Sequence, residues 1–387
     1  MSEYQYVVFQ AVDGPLNDKQ LQFAQRQSTR AEVSRWSLSV EYHYSSFRGD
    51  VDGLLRNGYD VYLQFTSYGS HELKLRLPRG MPFPKGIWSN YVDGERLLWK
   101  SDAKGSGGIL TLHPYQDASD FIGVWDAQKY LEAAVYVRER LISGDLRALY
   151  LLWLAAAGDD YNNPEEAIEP PVPHGIAELA TRGGGILTFF GLDPLLLVAA
   201  GKDLKPAPPD ATQDHAARWV NTLDPQRAKD ILLRFLIGDT AGEKSQILAT
   251  IREAQTSGGW PTSDKQRTFG DLLKQTEALR VEEEAKQTRK VEAKAKREAA
   301  KVEQERADRL KKMLKDPDKF LSETERLVDA GGTRNFKAAA EILFDLREAL
   351  GGDEGNKVAC RHAAKLAKKH PTYSHLKSSL RKRGLIE

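Results

Sequence analysis

The sequence predicts an α+β N-terminal domain followed by an all-α region with a long charged helix and a small C-terminal helical bundle. Apolar residues alternate with polar ones before residue 115, recur at helical spacing after residue 126, and become sparse in a charged stretch after Gly270. With 387 residues, 41% of them hydrophobic and 29% charged, the chain can hold two or three domains. We expect an α+β sheet domain at 1–125, a helical domain at 126–258, a long charged helix at 265–315 and a basic helical module at 316–387.

The N-terminal segment has the period-2 alternation of half-buried strands, and a second pair of strands flanks the run AKGSGG. A turn at 68–70 predicts a hairpin, and two short helices are expected between the first strands. The resulting order is strand, helix, strand, helix and four strands, which favours one sheet with helices on one face. The clearest strand predictions are Leu38–Tyr44, Val61–Phe65 and Leu73–Leu77.

Residues 126–258 change to helical spacing, with Tyr130, Ala134 and Val137 on one predicted helix face. Asp145 can cap the next helix, LRALYLLWLAAA, which is apolar nearly all round and is expected in a core. The runs DPLLLVAAG and DPQRAKDILLRFLIG each begin with Asp-Pro and end in Gly, as short helices do. These patterns predict a small helical domain.

Residues 265–315 carry acidic residues four positions before basic ones, as in Glu305–Arg309, which stabilises an exposed helix. Val291, Val302 and Met313 recur every eleven residues, but a Leu heptad is absent. The segment is therefore predicted to form a long solvated helix in which coiled-coil pairing is weak.

The C-terminal segment predicts three short amphipathic helices between Asn335 and Leu385, and no Asp or Glu stands between Gly355 and Ile386. Each helix has one apolar stripe, so the three should pack together and turn their basic residues outward. This predicted interaction surface consists of Lys357, Arg361, Lys365, Lys368, Lys369, Lys377, Arg381, Lys382 and Arg383.

The basic surface has three interpretations. It can dock an acidic protein surface, it can hold nucleic-acid phosphates by counterion release with a steep salt dependence, or it can be a solvated face. The same segment contains Cys360, His362, His370 and His375, which are potential metal ligands. Cys360 and His362 are two positions apart, so on a helix their side chains point about 200° apart and cannot bind one metal ion. We expect these histidines on the basic face.

A second candidate surface lies in the N-terminal domain, where aromatic residues are dense. Aromatic side chains on an exposed sheet face can stack on ligands. Tyr62 lies opposite Val61 and Leu63 in the alternation and is predicted to be exposed. The polar candidates for this surface are Glu41, His43, Arg48 and Asp50.

The sequence contains no specific enzymatic signature. Its glycine-rich runs do not match the phosphate-loop pattern GxxxxGK[ST], and Ser106 near His113 lacks the GxSxG elbow. We therefore predict no catalytic residue, no cofactor and no metal. The alternative is an enzyme whose site lies in the N-terminal domain around His43, Arg48 or His113.

A single cysteine excludes a disulfide framework and fits a reducing compartment. The first residues lack a basic region followed by an apolar run, and the apolar run Leu149–Ala157 is too short for a bilayer span. We expect a soluble cytoplasmic protein without a membrane partner.

Several segments of the chain resemble a large family of uncharacterised bacterial proteins. They are EYHYSSFRGDVDGLLRNGYDVYLQF, PPVPHGIAELATRGGGILTFFGLDPLLLVAA, the charged helix and the ending LFDLREAL…ACRHAAKLAKKHPTYSHLKSSLRKRGL. The tail is similar to the C-terminal helical segment of bacterial SWIM zinc-finger proteins, alongside which this family tends to be encoded. The resemblance implies a shared docking module or a common partner. It does not extend to zinc chemistry, because a CxC and CxH pattern needs more than one cysteine.

These observations together favour a non-enzymatic cytoplasmic adaptor or scaffold that docks a protein partner through its basic helical tail. A SWIM zinc-finger protein is the partner that the resemblance implies. Non-specific nucleic-acid binding by the same tail is the first alternative, and an enzyme with its site in the N-terminal domain is the second.

Overall fold

The computed structural model describes residues 4–67, 69–115, 127–208, 217, 219–237, 247, 250 and 260–387. It divides into two compact units, Met1–Glu283 and Glu284–Glu387. The predicted fold class is confirmed, since an antiparallel sheet domain comes first and a helical region with a helical C-terminal part follows. The boundaries predicted near 125 and 258 both lie outside the described residues, within the span of the first unit.

Seven antiparallel strands form the sheet of the first unit, in the spatial order β2-β3-β1-β4-β5-β7-β6. β4 and β5 pair as the predicted hairpin, with Leu63 opposite Leu73, while Tyr68 of its turn lies outside the described residues. Two short strands, β8 and β9, pair separately. The strands are β1 Tyr4–Gln10, β2 Glu32–Val33, β3 Ser37–His43, β4 Val61–Thr66, β5 Glu72–Leu77, β6 Leu97–Ser101, β7 Gly108–Leu112, β8 Val172–Pro173 and β9 Thr262–Ser263.

Helices cover both faces of this sheet, because successive residues of a strand point to opposite sides. Leu63 and its neighbours in β5 and β7 pack in one cluster with helices α4 and α5. Phe9 and Tyr62 lie in a second cluster with helices α1 and α2. The prediction of helices on one face is therefore wrong, since the order of elements does not fix the side on which each helix crosses. The helices named here are α1 Asp18–Gln25, α2 Val51–Arg56, α4 Ala127–Ile142 and α5 Leu146–Ala157, and α3 is the short Lys85–Trp88.

Helix α5 lies in the larger of these two clusters, as its apolar sequence predicts. Asp145 caps it by accepting a 3.1 Å hydrogen bond from the Arg147 N–H, and every residue of the helix except Trp153 is buried. Two further helices, α6 Gly184–Phe189 and α7 Leu195–Ala200, contribute to the same cluster. One apolar core therefore joins the sheet to the helices that follow it, across the predicted domain boundary.

Helix α8, Pro225–Ile237, forms as predicted, and its expected end at Gly238 lies outside the described residues. In the described part of the chain, no helix combines the length and the apolar character that crossing a bilayer requires.

The long helix α9 spans Phe269–Lys315, which is 47 residues. It starts in the first unit, where Arg267 donates from both Nε and Nη2 to the buried Glu169 carboxylate at 2.8 Å. Every residue from 281 to 306 is exposed, as expected for a solvated helix. The three residues of the eleven-residue apolar repeat differ in burial. Val291 and Val302 are 66% and 65% exposed, whereas Met313 is buried.

Four helices complete the second unit: α10 Pro317–Ala330, α11 Thr333–Leu350, α12 Gly352–Lys369 and α13 Ser374–Lys382. The last three correspond to the predicted tail helices, and α10 precedes them with Asp316 as its cap. Leu343, Leu366 and Leu380 are buried in their common core. Met313 of α9 packs against Ile342 in an adjoining cluster.

A buried arginine joins the sheet to helix α4. Arg138 is fully enclosed, and its guanidinium donates to Asp13 Oδ1 at 2.9 Å, to Asp60 Oδ1 at 2.8 Å and to the Arg76 carbonyl at 2.7 Å. Asp60 Oδ2 also accepts the main-chain N–H groups of Val12 and Asp13. Burial raises the pKa of Asp60 to about 6, although Arg138 opposes that shift. The loop after β1, the start of β4 and the end of β5 are thereby fixed to one helix.

We expect Arg138→Met to lower the free energy of unfolding of the first unit by about 3–5 kcal/mol, because Asp13 and Asp60 would lose their shared cation. All seven tryptophans lie between Trp36 and Trp260, so tryptophan fluorescence during urea denaturation reports on this unit. The control is Arg140→Met in the same helix, where the ion pair to Asp145 is 3.8 Å long and partly exposed. That variant should lose less than about 1 kcal/mol, and equal losses would contradict the role of Arg138.

Candidate functional site

The nine predicted basic residues lie on α12, on α13 and at the residue that follows α13. Lys377 is half-buried and the other eight are exposed. The apolar residues between them, including Ala359, Leu366 and Leu376, are buried in the helical core. The amphipathic pattern of the tail therefore sets the outward direction of these cations, as predicted.

Neighbouring helices supply acids to this surface, so the prediction of an acid-free face is wrong. Lys365 pairs with Glu325 at 2.9 Å, and Lys369 pairs with Asp329 at 2.9 Å, both across from α10. The two lysines hold the pKa values of these carboxyl groups below their ordinary range. Arg383 pairs with Glu341 of α11 at 3.6 Å. The stretch after Gly355 lacks acids, but helices earlier in the chain pack beside it.

Two more of the nine cations bind main-chain oxygens. Lys377 Nζ donates to the Pro371 carbonyl at 2.8 Å, and Arg381 Nε donates to the Glu387 main-chain oxygen at 2.7 Å. Each contact occupies an N–H donor that would otherwise be open to solvent or to a partner.

Four cations remain without an ion pair or hydrogen bond to any residue that the structure describes: Lys357, Arg361, Lys368 and Lys382. Three of them, Lys357, Arg361 and Lys368, lie within an arc of about 40° on α12, at ~100° per residue. We call these three residues the α12 stripe. Ala364 lies about 20° outside this arc and is exposed, so the surface beside the three cations carries a small side chain.

His362, His370 and Cys360 of the tail contact different residues. His362 is half-buried against α10, where its Nε2 lies 3.0 Å from Thr324 Oγ1 and burial lowers its pKa. His370 lies 3.0 Å from Asp329 and stacks on Tyr373, while Cys360 donates to Asn356. The expected position of the histidines on the basic face is wrong for His362, which helps to hold α12 on α10. Within the described residues, no three potential metal ligands come together.

Of the residues predicted for the N-terminal surface, Tyr62 is buried and the other four are exposed. Tyr62 is 1% exposed and packs on Phe9 with 4.8 Å between ring centroids, so its predicted exposure is wrong. The physical reason is the second helical layer, since α1 and α2 cover the face that Tyr62 occupies. Asp50 caps α2 by accepting the Gly53 N–H at 2.8 Å, and Arg48 lies exposed in the preceding loop.

Glu41 and His43 are exposed near the end of β3, on the strand face opposite to Val40. His43 contacts Tyr4, with 5.3 Å between ring centroids, and Glu41 adds to the burial effect that raises the pKa of Tyr4. His113 follows β7, which is four strand intervals away from β3, about 19 Å. The residues that could support an enzyme site are therefore spread over the sheet.

A buried histidine lies in the core of the first unit. The His71 ring packs 4.8 Å from Phe65 and 5.3 Å from Phe189, and among the residues that the structure describes neither ring nitrogen has a hydrogen-bond partner. Burial lowers the pKa of His71 to about 4. The signal was in the alternation, because His71 is in step with the buried residues Leu73 and Leu75.

Comparison of the chain with protein-family models, with curated proteins and with solved structures gave no match.

His71 should make the first unit less stable in mild acid. Its folded-state pKa lies below the unfolded value of 6.5, so its contribution to stability is complete above pH 6.5 and is lost as the pH falls towards 4. Between pH 7 and pH 5 this loss amounts to about 2 kcal/mol. We expect His71→Phe to reduce the pH dependence of the unfolding free energy by this amount, measured by urea denaturation with tryptophan fluorescence at both pH values.

The matched control for this measurement is His113→Phe, since His113 is exposed. Asp60 titrates in the same window with the opposite sign, but it is common to all three proteins and cancels in the comparison. A His71→Phe variant with the pH dependence of the wild type would contradict the assignment.

Proposed function

We propose that the protein is a non-enzymatic cytoplasmic adaptor that docks an acidic protein partner through the α12 stripe. The observation that carries the proposal is the contrast on a single helix. Lys357, Arg361 and Lys368 are exposed and unpaired within the described residues, whereas Lys365 and Lys369 are neutralised by α10. The fold already satisfies one set of cations and leaves the other for a partner.

The charge of the module favours a local contact. Residues 316–387 contain fourteen Lys and Arg and eleven Asp and Glu, which gives a formal charge of +3. Such a balance produces a weak long-range field, and charges further away than about 8 Å are largely screened at physiological salt. A partner is therefore recognised by carboxylates placed opposite the stripe, which spans about 17 Å of helix.

The SWIM zinc-finger protein implied by the resemblance of the tail is the first partner to test. The reducing cytoplasm is the compartment that the single cysteine fits, and Cys360 is unbridged. Non-specific nucleic-acid binding by the tail is the second candidate, and it rests on the same unpaired cations together with Lys382. Salt dependence distinguishes nucleic-acid binding from protein docking, because four phosphate contacts give a slope of about −3.6 in log affinity against log salt on duplex DNA.

The test compares two triple variants of the full chain. Lys357→Gln, Arg361→Gln and Lys368→Gln should weaken binding to a purified bacterial SWIM zinc-finger protein with a similar C-terminal segment by about tenfold or more, because each removed charge contact contributes roughly 0.5–1 kcal/mol. Isothermal titration calorimetry at 50 and 150 mM salt measures the affinity.

The control is Lys365→Gln, Lys369→Gln and Arg383→Gln, which removes the same number of cations of the same types from the paired set. It should alter affinity by less than about threefold while lowering the thermal stability of the module more than the stripe variant does. Unchanged affinity in the stripe variant would overturn the proposal, and so would an equal loss in both variants.

A further inference from the structure

The exposed middle of helix α9 carries a second basic surface, formed by Lys290, Lys294, Arg297 and Lys301. We infer that this surface, the α9 stripe, binds the phosphate backbone of a nucleic-acid duplex. The inference is independent of the proposed function, since it uses other residues and a different class of partner.

Helical geometry brings the four cations into line. They are separated by four, three and four residues, so that at ~100° per residue all four fall within an arc of about 60°. The first and the last are eleven positions apart, which is about 17 Å along the helix axis. The helical spacing of these residues therefore places them on one continuous basic stripe, although acidic and basic residues are mixed in the sequence.

No acidic residue between 284 and 304 falls inside the arc of the stripe. Glu284 and Glu292 lie on other faces, while Glu298 lies about 40° beyond one edge of the arc. Ala293 and Ala300 lie on the other side of the stripe, so a ligand can approach the helix closely from there. The side opposite to the cations carries Val291, Ala295, Ala299 and Val302.

The stripe is accessible and largely unpaired. All residues from 281 to 306 are exposed, so no part of the second unit packs over it. Lys290, Lys294 and Arg297 form no ion pair with the residues that the structure describes, and Lys301 has an exposed contact of 3.8 Å to Glu305. Further along the helix the pattern changes, because Arg306 and Arg309 pair with Glu348 and Asp345 of α11. The predicted Glu305–Arg309 pair is thus replaced by a contact between helices.

Charge complementarity points to a polyphosphate. A duplex presents one negative charge per about 1.7 Å of its axis, and cations that neutralise it gain affinity by releasing counterions without a need for shape complementarity. The evenly spaced cations match the uniform charge along a duplex. An anionic bilayer would need a broad face of large apolar residues, whereas the only apolar residues of the opposite face are Val and Ala. The helix, about 10–12 Å across, also fits the major groove of ~12 Å.

Binding of the full chain to a 30-base-pair duplex DNA of random sequence tests the inference, with fluorescence anisotropy measured from 50 to 200 mM salt. With four phosphate contacts, log affinity should fall against log salt with a slope of about −3.6. The variant Lys294→Gln with Arg297→Gln should reduce the magnitude of this slope by about 1.8, since two contacts are lost. Glutamine keeps the helix propensity, and circular dichroism checks that the helix is intact.

The matched control is Arg289→Gln with Lys296→Gln, which removes one Lys and one Arg from the same segment but outside the arc. It should leave the slope within about 0.5 of the wild-type value. Equal slopes for both double variants would overturn the inference, as would the absence of duplex binding at 50 mM salt. The inference also fails if the triple variant of the α12 stripe abolishes binding while the α9 variant does not. A poly-L-glutamate chain that competes with the duplex at equal charge would reassign the stripe to acidic proteins.

Discussion

The buried guanidinium of Arg138 is the contact on which the architecture of the first unit depends. It connects the loop after β1, the start of β4 and the end of β5 to helix α4, through Asp13, Asp60 and the Arg76 carbonyl. A cation so deeply enclosed is tolerated because charged and main-chain acceptors surround it. The sheet thereby gains a fixed position for the helical layer, and the apolar residues of β4, β5 and β7 find their cover there.

The two units use charge in different ways. The first contains enclosed ion pairs, such as that between Arg267 and Glu169, where removal of one partner leaves the other without compensation. In the second, they lie at the surface between α10 and α12, where each contributes little to stability. Cations that the second unit leaves unpaired therefore cost little to keep in water. They are the features of this molecule that a partner can use.

Most strands and helices could be predicted from the sequence, but which of their faces are covered by other elements could not. The alternation in β4 correctly placed Val61 and Leu63 on one side and Tyr62 on the other, but it could not show that α1 and α2 cover the second side. The same limit applies to the tail. Its basic residues were identified from the stretch after Gly355, while Glu325, Asp329 and Glu341, which neutralise three of them, come from helices earlier in the chain.

The sequence by itself predicted most of the strands and helices, the long solvated helix and the outward direction of the tail cations, because these depend on periodicity, caps and breakers within a few residues. Elements such as β2, α3 and α10 were not predicted. Only the tertiary structure decided which tail cations pair with acids, where Arg138 finds its carboxylates and which aromatic rings pack on His71. Those outcomes depend on residues that are far apart in the chain, such as Asp13 and Arg138. Contacts of that kind are set by how the layers pack, and no local pattern encodes them.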